Sequence, residues 1–181
     1  MRAVLSAALL LIAAAPFMGG CDDPFGLGEV ILVQDTIILT APTVPGNTAS
    51  AVDLAEGVSP RRPELPAEAQ QWDLQIRQEG TAFSLVPFPQ LSSLRGAGLR
   101  LSDRAFEDVD EAPRGSASYT RAETAITPGQ TFFVQSRQSQ SLRCSKFSVL
   151  KVLSVSADSG LAHIAVRSNQ SCDDERLRHD D

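Results

Sequence analysis

Short segments that alternate apolar and polar residues, separated by glycine- and proline-containing stretches, constrain the fold of this chain most strongly. In residues 72–77 (WDLQIR) every second residue is apolar, and residues 144–155 continue such a pattern over a longer run. Residues 30–33 and 36–39 are apolar and mostly β-branched. Because successive side chains of a strand point to opposite faces, this period of two predicts half-buried strands and not helices.

The predicted fold class is therefore all-β, mainly an antiparallel β-sandwich-like arrangement, with one short helix. The helix is expected from Asp103 to Val109, with Ser102 as its N-cap. The stretch 89–105, rich in Ser, Gly, Leu and Arg, is predicted to be a long loop. One domain is expected over residues 30–172, followed by a disordered acidic tail over residues 173–181.

The first 20 residues resemble a secretion signal. Arg2 precedes an apolar run that is too short for a membrane span, and the run ends in the small residues Gly19 and Gly20. The sequence from Met18 to Cys21 resembles a bacterial lipobox, in which the cysteine becomes the first residue of the mature protein and is acylated. We therefore expect a signal peptide over 1–20, a lipidated tether over 21–29, and anchoring to a membrane of the bacterial envelope through Cys21. The alternative is an ordinary signal peptide with an unrelated cysteine.

The other two cysteines are placed symmetrically about one turn. Residues 157–160 (ADSG) form a turn signal, and Cys144 and Cys172 each lie 14 residues from Asp158. In an antiparallel hairpin, residues equidistant from the turn face each other, within a shift of one residue if a bulge intervenes. A disulfide is expected in an exported chain, and closing this loop of 29 residues is worth about 3–4 kcal/mol. Free thiols, or a metal site with a histidine, are the alternatives.

Few residues point to a ligand site, and none to catalysis. Trp72, Tyr119 and His163 are the candidate ligand-binding residues, although a lone tryptophan or histidine on an alternating strand is more often structural. No catalytic residues and no metal site are predicted. The chain has 16 Lys and Arg residues against 22 Asp and Glu residues, which disfavours binding to nucleic acid.

Two charged clusters allow two interpretations each. The acidic residues within 107–111 are either ligands for Ca²⁺ or a solvated surface, and the surface is favoured because the glycine and ligand order of a calcium loop are missing. Arg61 and Arg62, and the series Arg95, Arg100 and Arg104, either bind anions or carboxylates or reflect only codon bias.

Four ordered segments resemble those of the HmuY-type lipoproteins, a surface-exposed all-β family first known for haem capture. The segments are residues 51–57 (AVDLAEG), 72–77 (WDLQIR), 129–136 (GQTFFVQS) and 144–152 (CSKFSVLKV). The resemblance spans about residues 50–167 and implies an all-β lipoprotein. It does not carry over the pair of histidines that holds haem in that family, because no histidine occurs between Cys21 and Ala162. No cofactor is therefore assigned, and haem remains an alternative ligand.

The leading functional hypothesis is a lipid-anchored envelope protein that acts as a non-catalytic binding or assembly module. Its partners are the membrane lipid at Cys21 and an unknown envelope protein or small ligand. The alternative is a haem or other small-ligand carrier. A deep pocket near Trp72, Tyr119 and His163 would favour the carrier, and a filled core at these residues would favour the assembly module.

Overall fold

A computed structural model describes residues 30–92, 94–139 and 143–178 of the chain. The predicted signal peptide and the tether with Cys21 lie outside the described residues. The described chain contains two five-stranded antiparallel sheets and only two short 3-10 helices, so the prediction of an all-β, sandwich-like fold is confirmed. No helix among the described residues has the length and apolar character that crossing a membrane requires.

The strands are three to ten residues long, and the longest connection between them, residues 102–123, holds both 3-10 helices. Their bounds are β1 Leu32–Thr40, β2 Ala51–Asp53, β3 Ser59–Arg61, β4 Leu74–Glu79, β5 Ala82–Pro87, β6 Gly98–Leu101, β7 Thr124–Ile126, β8 Thr131–Gln135, β9 Phe147–Ser156 and β10 Leu161–Asn169. The 3-10 helices are Phe106–Asp108 and Ser116–Ser118. The first sheet has the order β1-β10-β9-β8-β6, and the second has the order β3-β2-β4-β5-β7.

The main core forms between the inner faces of the two sheets. In β4, Leu74 and Ile76 are fully buried while Arg77 is exposed, as the alternation in the sequence predicts. They pack with inward side chains of the first sheet, among them Leu150 of β9 and Ile164 of β10. This apolar burial between two layers is the principal force that holds the sheets together.

The β9–β10 hairpin has the register that the cysteine spacing predicts. Gly160 occupies the turn with a φ of 64°, and the pairing shifts by one residue between His163 and Ile164, which leaves Leu153 as the extra residue of a bulge. Beyond the bulge, Asn169 faces Phe147, and the same register brings Cys144 opposite Cys172. The two sulfur atoms lie at disulfide-bonding distance, with the Cα atoms 5.5 Å apart.

The stretch 89–105 differs from the predicted long loop because it contains β6, which pairs with β8. Its glycines serve close packing: a Cβ atom on Gly98 would lie 2.7 Å from the Cβ atom of Tyr119. The expected helix from Asp103 to Val109 is reduced to the single 3-10 turn Phe106–Asp108, and no side chain caps it.

A second, smaller core covers the outer face of the first sheet. Phe106 and Val109 from the segment after β6 pack there against Phe147 and Val149 of β9, and Leu177 near the C-terminus joins them. Leu177 is 0% exposed, and its N–H donates to the Asp110 carbonyl at 2.6 Å. The prediction of a disordered tail is therefore wrong for residues 173–178, because one leucine among the charges is buried. Residues 179–181 lie outside the described chain.

Candidate functional site

Trp72 packs into a filled cluster and does not line a groove. Its ring meets that of Phe88 edge to face, with centroids 4.9 Å apart, and its Nε1 donates to the Ala69 carbonyl at 3.0 Å. Ala51 and Ala97 complete the cluster. Trp72 therefore has a structural role, because its ring is packed against other side chains and its nitrogen is hydrogen-bonded within the domain.

Tyr119 is likewise buried and hydrogen-bonded. Its hydroxyl donates to the Pro113 carbonyl at 2.9 Å, and its ring packs against Phe147 in the outer core. Burial raises the pKa of the phenol well above its usual value, so the neutral, donating form is favoured. Tyr119 therefore stabilises the segment around Pro113 through its hydroxyl group.

His163 lies on the outer face of β10, half-buried, opposite Ile38 of β1 and Ser154 of β9. The buried residues of β10 are its neighbours Ala162 and Ile164, as the sequence predicts. Trp72, Tyr119 and His163 thus lie in three separate surroundings, and within the described chain the structure does not bring them together around one pocket.

A buried ion cluster links the two sheets. Asp53 at the end of β2 and Asp73 just before β4 are both 0% exposed, and Arg137, two residues after β8, has a side chain that is 11% exposed. The Arg137 Nη1 donates to Asp53 Oδ1 at 2.9 Å and to Asp73 Oδ2 at 3.0 Å. One cation of the first sheet therefore joins two carboxylates of the second.

Backbone donors complete the cluster around Asp73. Its Oδ2 also accepts the N–H groups of Leu54 at 2.6 Å and Ala55 at 2.9 Å, and its Oδ1 accepts the Arg137 N–H at 2.6 Å. Desolvation is nevertheless the largest influence, and it raises the pKa of Asp73 to about 6 against the opposing effect of Arg137. For Arg137, burial opposes the charge, but Asp73 and Asp53 outweigh it and raise the pKa of the guanidinium.

Sequence reasoning missed this cluster. A signal was present, because Asp53 lies between Val52 and Leu54 in an otherwise apolar segment, and an ionised carboxylate is rarely buried unless it is paired. The partner Arg137 lies 84 residues further along the chain, and no local pattern connects the two. Since all three charged groups already partner one another, their arrangement is that of a structural clamp between the sheets.

The acidic residues around position 107 take part in ion pairs with basic side chains. Glu107 pairs with Lys151 of β9 at 2.7 Å, and Asp110 pairs with Arg178 at 2.8 Å. The hydrogen bond from Lys151 lowers the pKa of Glu107. These pairs attach the segment after β6 to the outer face of the first sheet and to the C-terminal residues.

An open groove beside the edge strand β6 gathers three of the chain's arginines. It encloses about 730 Å³, and six of its lining residues are Arg100, Arg104, Arg114, Asp103, Glu111 and Phe133. Arg114 pairs with Glu111 at 3.2 Å, and both of these side chains are well exposed. We call this feature the arginine groove, and among the surfaces of the described chain it is the candidate binding site.

A second open groove of about 580 Å³ lies beside the buried ion cluster, and its lining includes Glu56, Gln70, Gln71 and Arg137. Comparison of the whole chain with protein-family models, curated proteins and solved structures finds no match. The functional conclusions below therefore rest on the residues and their geometry.

Proposed function

We propose that this chain is a lipid-anchored protein of the bacterial cell envelope whose β-sandwich domain is a non-catalytic binding or assembly module. The observation that carries the proposal is the packing of Trp72 and Tyr119. Both rings lie in filled apolar clusters and both polar atoms are hydrogen-bonded within the domain. A partner is then met at the surface, where the open grooves lie, and not in an interior pocket.

The anchor is the acylated Cys21 that the lipobox-like sequence predicts. Residues 21–29 form the spacer, and the sandwich begins with β1 at Leu32. Two acyl chains on one cysteine give stable membrane attachment, which fits a domain that acts at the membrane surface.

Membership of the HmuY-type lipoproteins is part of this proposal. The all-β architecture supports it, because the resemblance implies such a fold. Two of the segments that carry the resemblance contain Asp53 and Asp73, so in this chain part of that motif serves the clamp between the sheets.

The experiment is expression of the full chain in a bacterium supplied with radiolabelled palmitate. We expect label in the chain and recovery in the membrane fraction, and neither in the Cys21→Ser variant. A matched Cys172→Ser variant keeps Cys21 and is expected to retain the label. An unlabelled wild-type chain in the soluble fraction would overturn the proposal.

A further inference from the structure

We infer that the arginine groove binds an oxyanion, a phosphate or carboxylate group, held by Arg100 and Arg104. The inference rests on the proposed function, because it names the chemistry that the proposed binding module recognises. It gives a role to two of the arginines that the sequence singles out.

The first argument is unused donor capacity. Within residues 30–92, 94–139 and 143–178, neither the Arg100 nor the Arg104 guanidinium has a hydrogen-bond or ion-pair partner; Arg104 bonds only through its backbone, to Ser102. Other arginines of the chain do have partners, for example Arg61 on Asp53 and Arg77 on Glu123. A guanidinium offers five N–H donors in a planar fork that matches carboxylate and phosphate oxygens.

The second argument is the free edge of β6. Leu99 exchanges both backbone hydrogen bonds with Thr120 on the side away from β8, whereas the Ser102 N–H bonds to Thr131 on the opposite side. Backbone N–H groups of a strand alternate in direction, so the N–H of Leu101 points to the same side as that of Leu99. It lies beyond the two hydrogen bonds between Leu99 and Thr120. It adds a third donor between Arg100 and Arg104, at a residue whose side chain is 57% exposed.

The third argument is the charge of the groove. Glu111 is paired with Arg114. Among the residues that line the groove, Asp103 alone then opposes Arg100 and Arg104, which have no partner in the part of the chain that the structure describes. The balance at the groove is positive in a chain whose formal net charge is -6. Such a local excess attracts an anion and repels a cation.

The floor of the groove is packed and partly apolar. Phe133 of β8 is buried beneath it, and the neighbouring Pro113 is held by the hydroxyl of Tyr119. A floor that is already packed lowers the ordering cost of binding, and the volume of the groove exceeds that of an inorganic anion. The groove therefore has room for a phosphate or carboxylate group that belongs to a larger molecule, either free in solution or the headgroup of a lipid.

The test measures binding of named probes to the full chain in nonionic detergent at low salt, by calorimetry. The soluble probes are inorganic phosphate, pyrophosphate and citrate. The lipid probe is a vesicle of phosphatidylglycerol and phosphatidylcholine, compared with phosphatidylcholine alone. It is presented in detergent-free buffer to the Cys21→Ser chain, which has no acyl group. Binding of a soluble probe identifies a free anion, binding only of the anionic vesicle identifies a headgroup, and both support the inference.

The variants are Arg100→Ala and Arg104→Ala, with Arg121→Ala as the control. Arg121 is exposed, lies outside the groove and carries the same charge. Its replacement therefore measures only the effect of removing one positive charge from the surface of the protein. We expect each groove variant to weaken binding about tenfold, since a hydrogen bond to a charged group is lost, and the control to change it less than about twofold.

Two results would overturn the inference: no measurable binding of any anionic probe, or equal weakening by Arg121→Ala. All three side chains are exposed, so unchanged melting curves are expected and show that the variants are folded. Palmitate labelling at Cys21 is independent of the groove. Absence of anion binding by the wild-type chain, together with intact labelling, therefore refutes only this inference, and absence of labelling in the wild-type chain refutes the proposed anchor.

Discussion

Replacing Asp73 with asparagine is expected to change how the stability of the domain depends on pH. Asp73 is fully buried in the clamp, and desolvation raises its pKa to about 6, compared with 3.8 for a free aspartate. Between pH 3.8 and 6 the folded state therefore binds a proton at this carboxyl that the unfolded state has released. The contribution of Asp73 to the free energy of unfolding is complete below pH 3.8 and is lost as the pH rises through 6.

The magnitude follows from the shift. A difference of about 2 pKa units corresponds to about 3 kcal/mol, since each unit is worth 1.36 kcal/mol. Asparagine has nearly the same shape but does not titrate. We therefore expect the free energy of unfolding of the wild type, minus that of Asp73→Asn, to fall by about 3 kcal/mol from pH 3.5 to pH 7.

The assay is urea unfolding followed by tryptophan fluorescence at half-unit steps of pH, for the wild type, Asp73→Asn and the control Asp108→Asn. Asp108 is exposed, so its replacement is expected to leave the pH profile unchanged. If the wild-type and Asp73→Asn curves run parallel, the reasoning is wrong, and Arg137 with the backbone donors offsets the desolvation of this carboxylate. If the difference rises with pH, these partners outweigh desolvation.

Three further predictions concern stability and ligand choice. Cys172→Ser is expected to lower the free energy of unfolding by about 3–4 kcal/mol and the melting temperature by about 10 °C. It is also expected to make Cys144 reactive to a thiol reagent. An unchanged melting curve would refute the disulfide between Cys144 and Cys172. Leu177→Ala is expected to lower the free energy of unfolding, measured by calorimetry, by about 2–4 kcal/mol. The control Leu153→Ala, at a half-exposed residue, is expected to lower it by less than about 1 kcal/mol. Equal losses would contradict packing of the C-terminal residues. Added hemin is expected to keep the broad Soret absorption of free hemin. A sharpened and shifted band that His163→Ala abolishes would instead support the haem carrier.

Much of the fold follows from local patterns in the sequence. The alternation around Leu74 and Ile76 predicts a half-buried strand because one face of each sheet meets the core. The register of the β9–β10 hairpin follows from the turn at Gly160 and the equal spacing of Cys144 and Cys172, since antiparallel pairing fixes which residues face each other.

The features that escaped prediction depend on contacts between distant parts of the chain. The strand β6 is hidden by Gly98, whose small size serves the close approach of Tyr119 and not a turn. Leu177 is a single apolar residue among charges, and only the outer face of β9 gives it a place to pack. The arginine groove brings together Arg100 and Arg114, which lie on either side of the 3-10 helix Phe106–Asp108.

The central claim, that this is an anchored binding domain, is tested most directly by the mass of the N-terminal peptide of the protein extracted from bacterial membranes. The account predicts a chain that begins at Cys21 and carries a diacylglyceryl group on its sulfur. A chain that begins at another residue, or an unmodified Cys21, would contradict it.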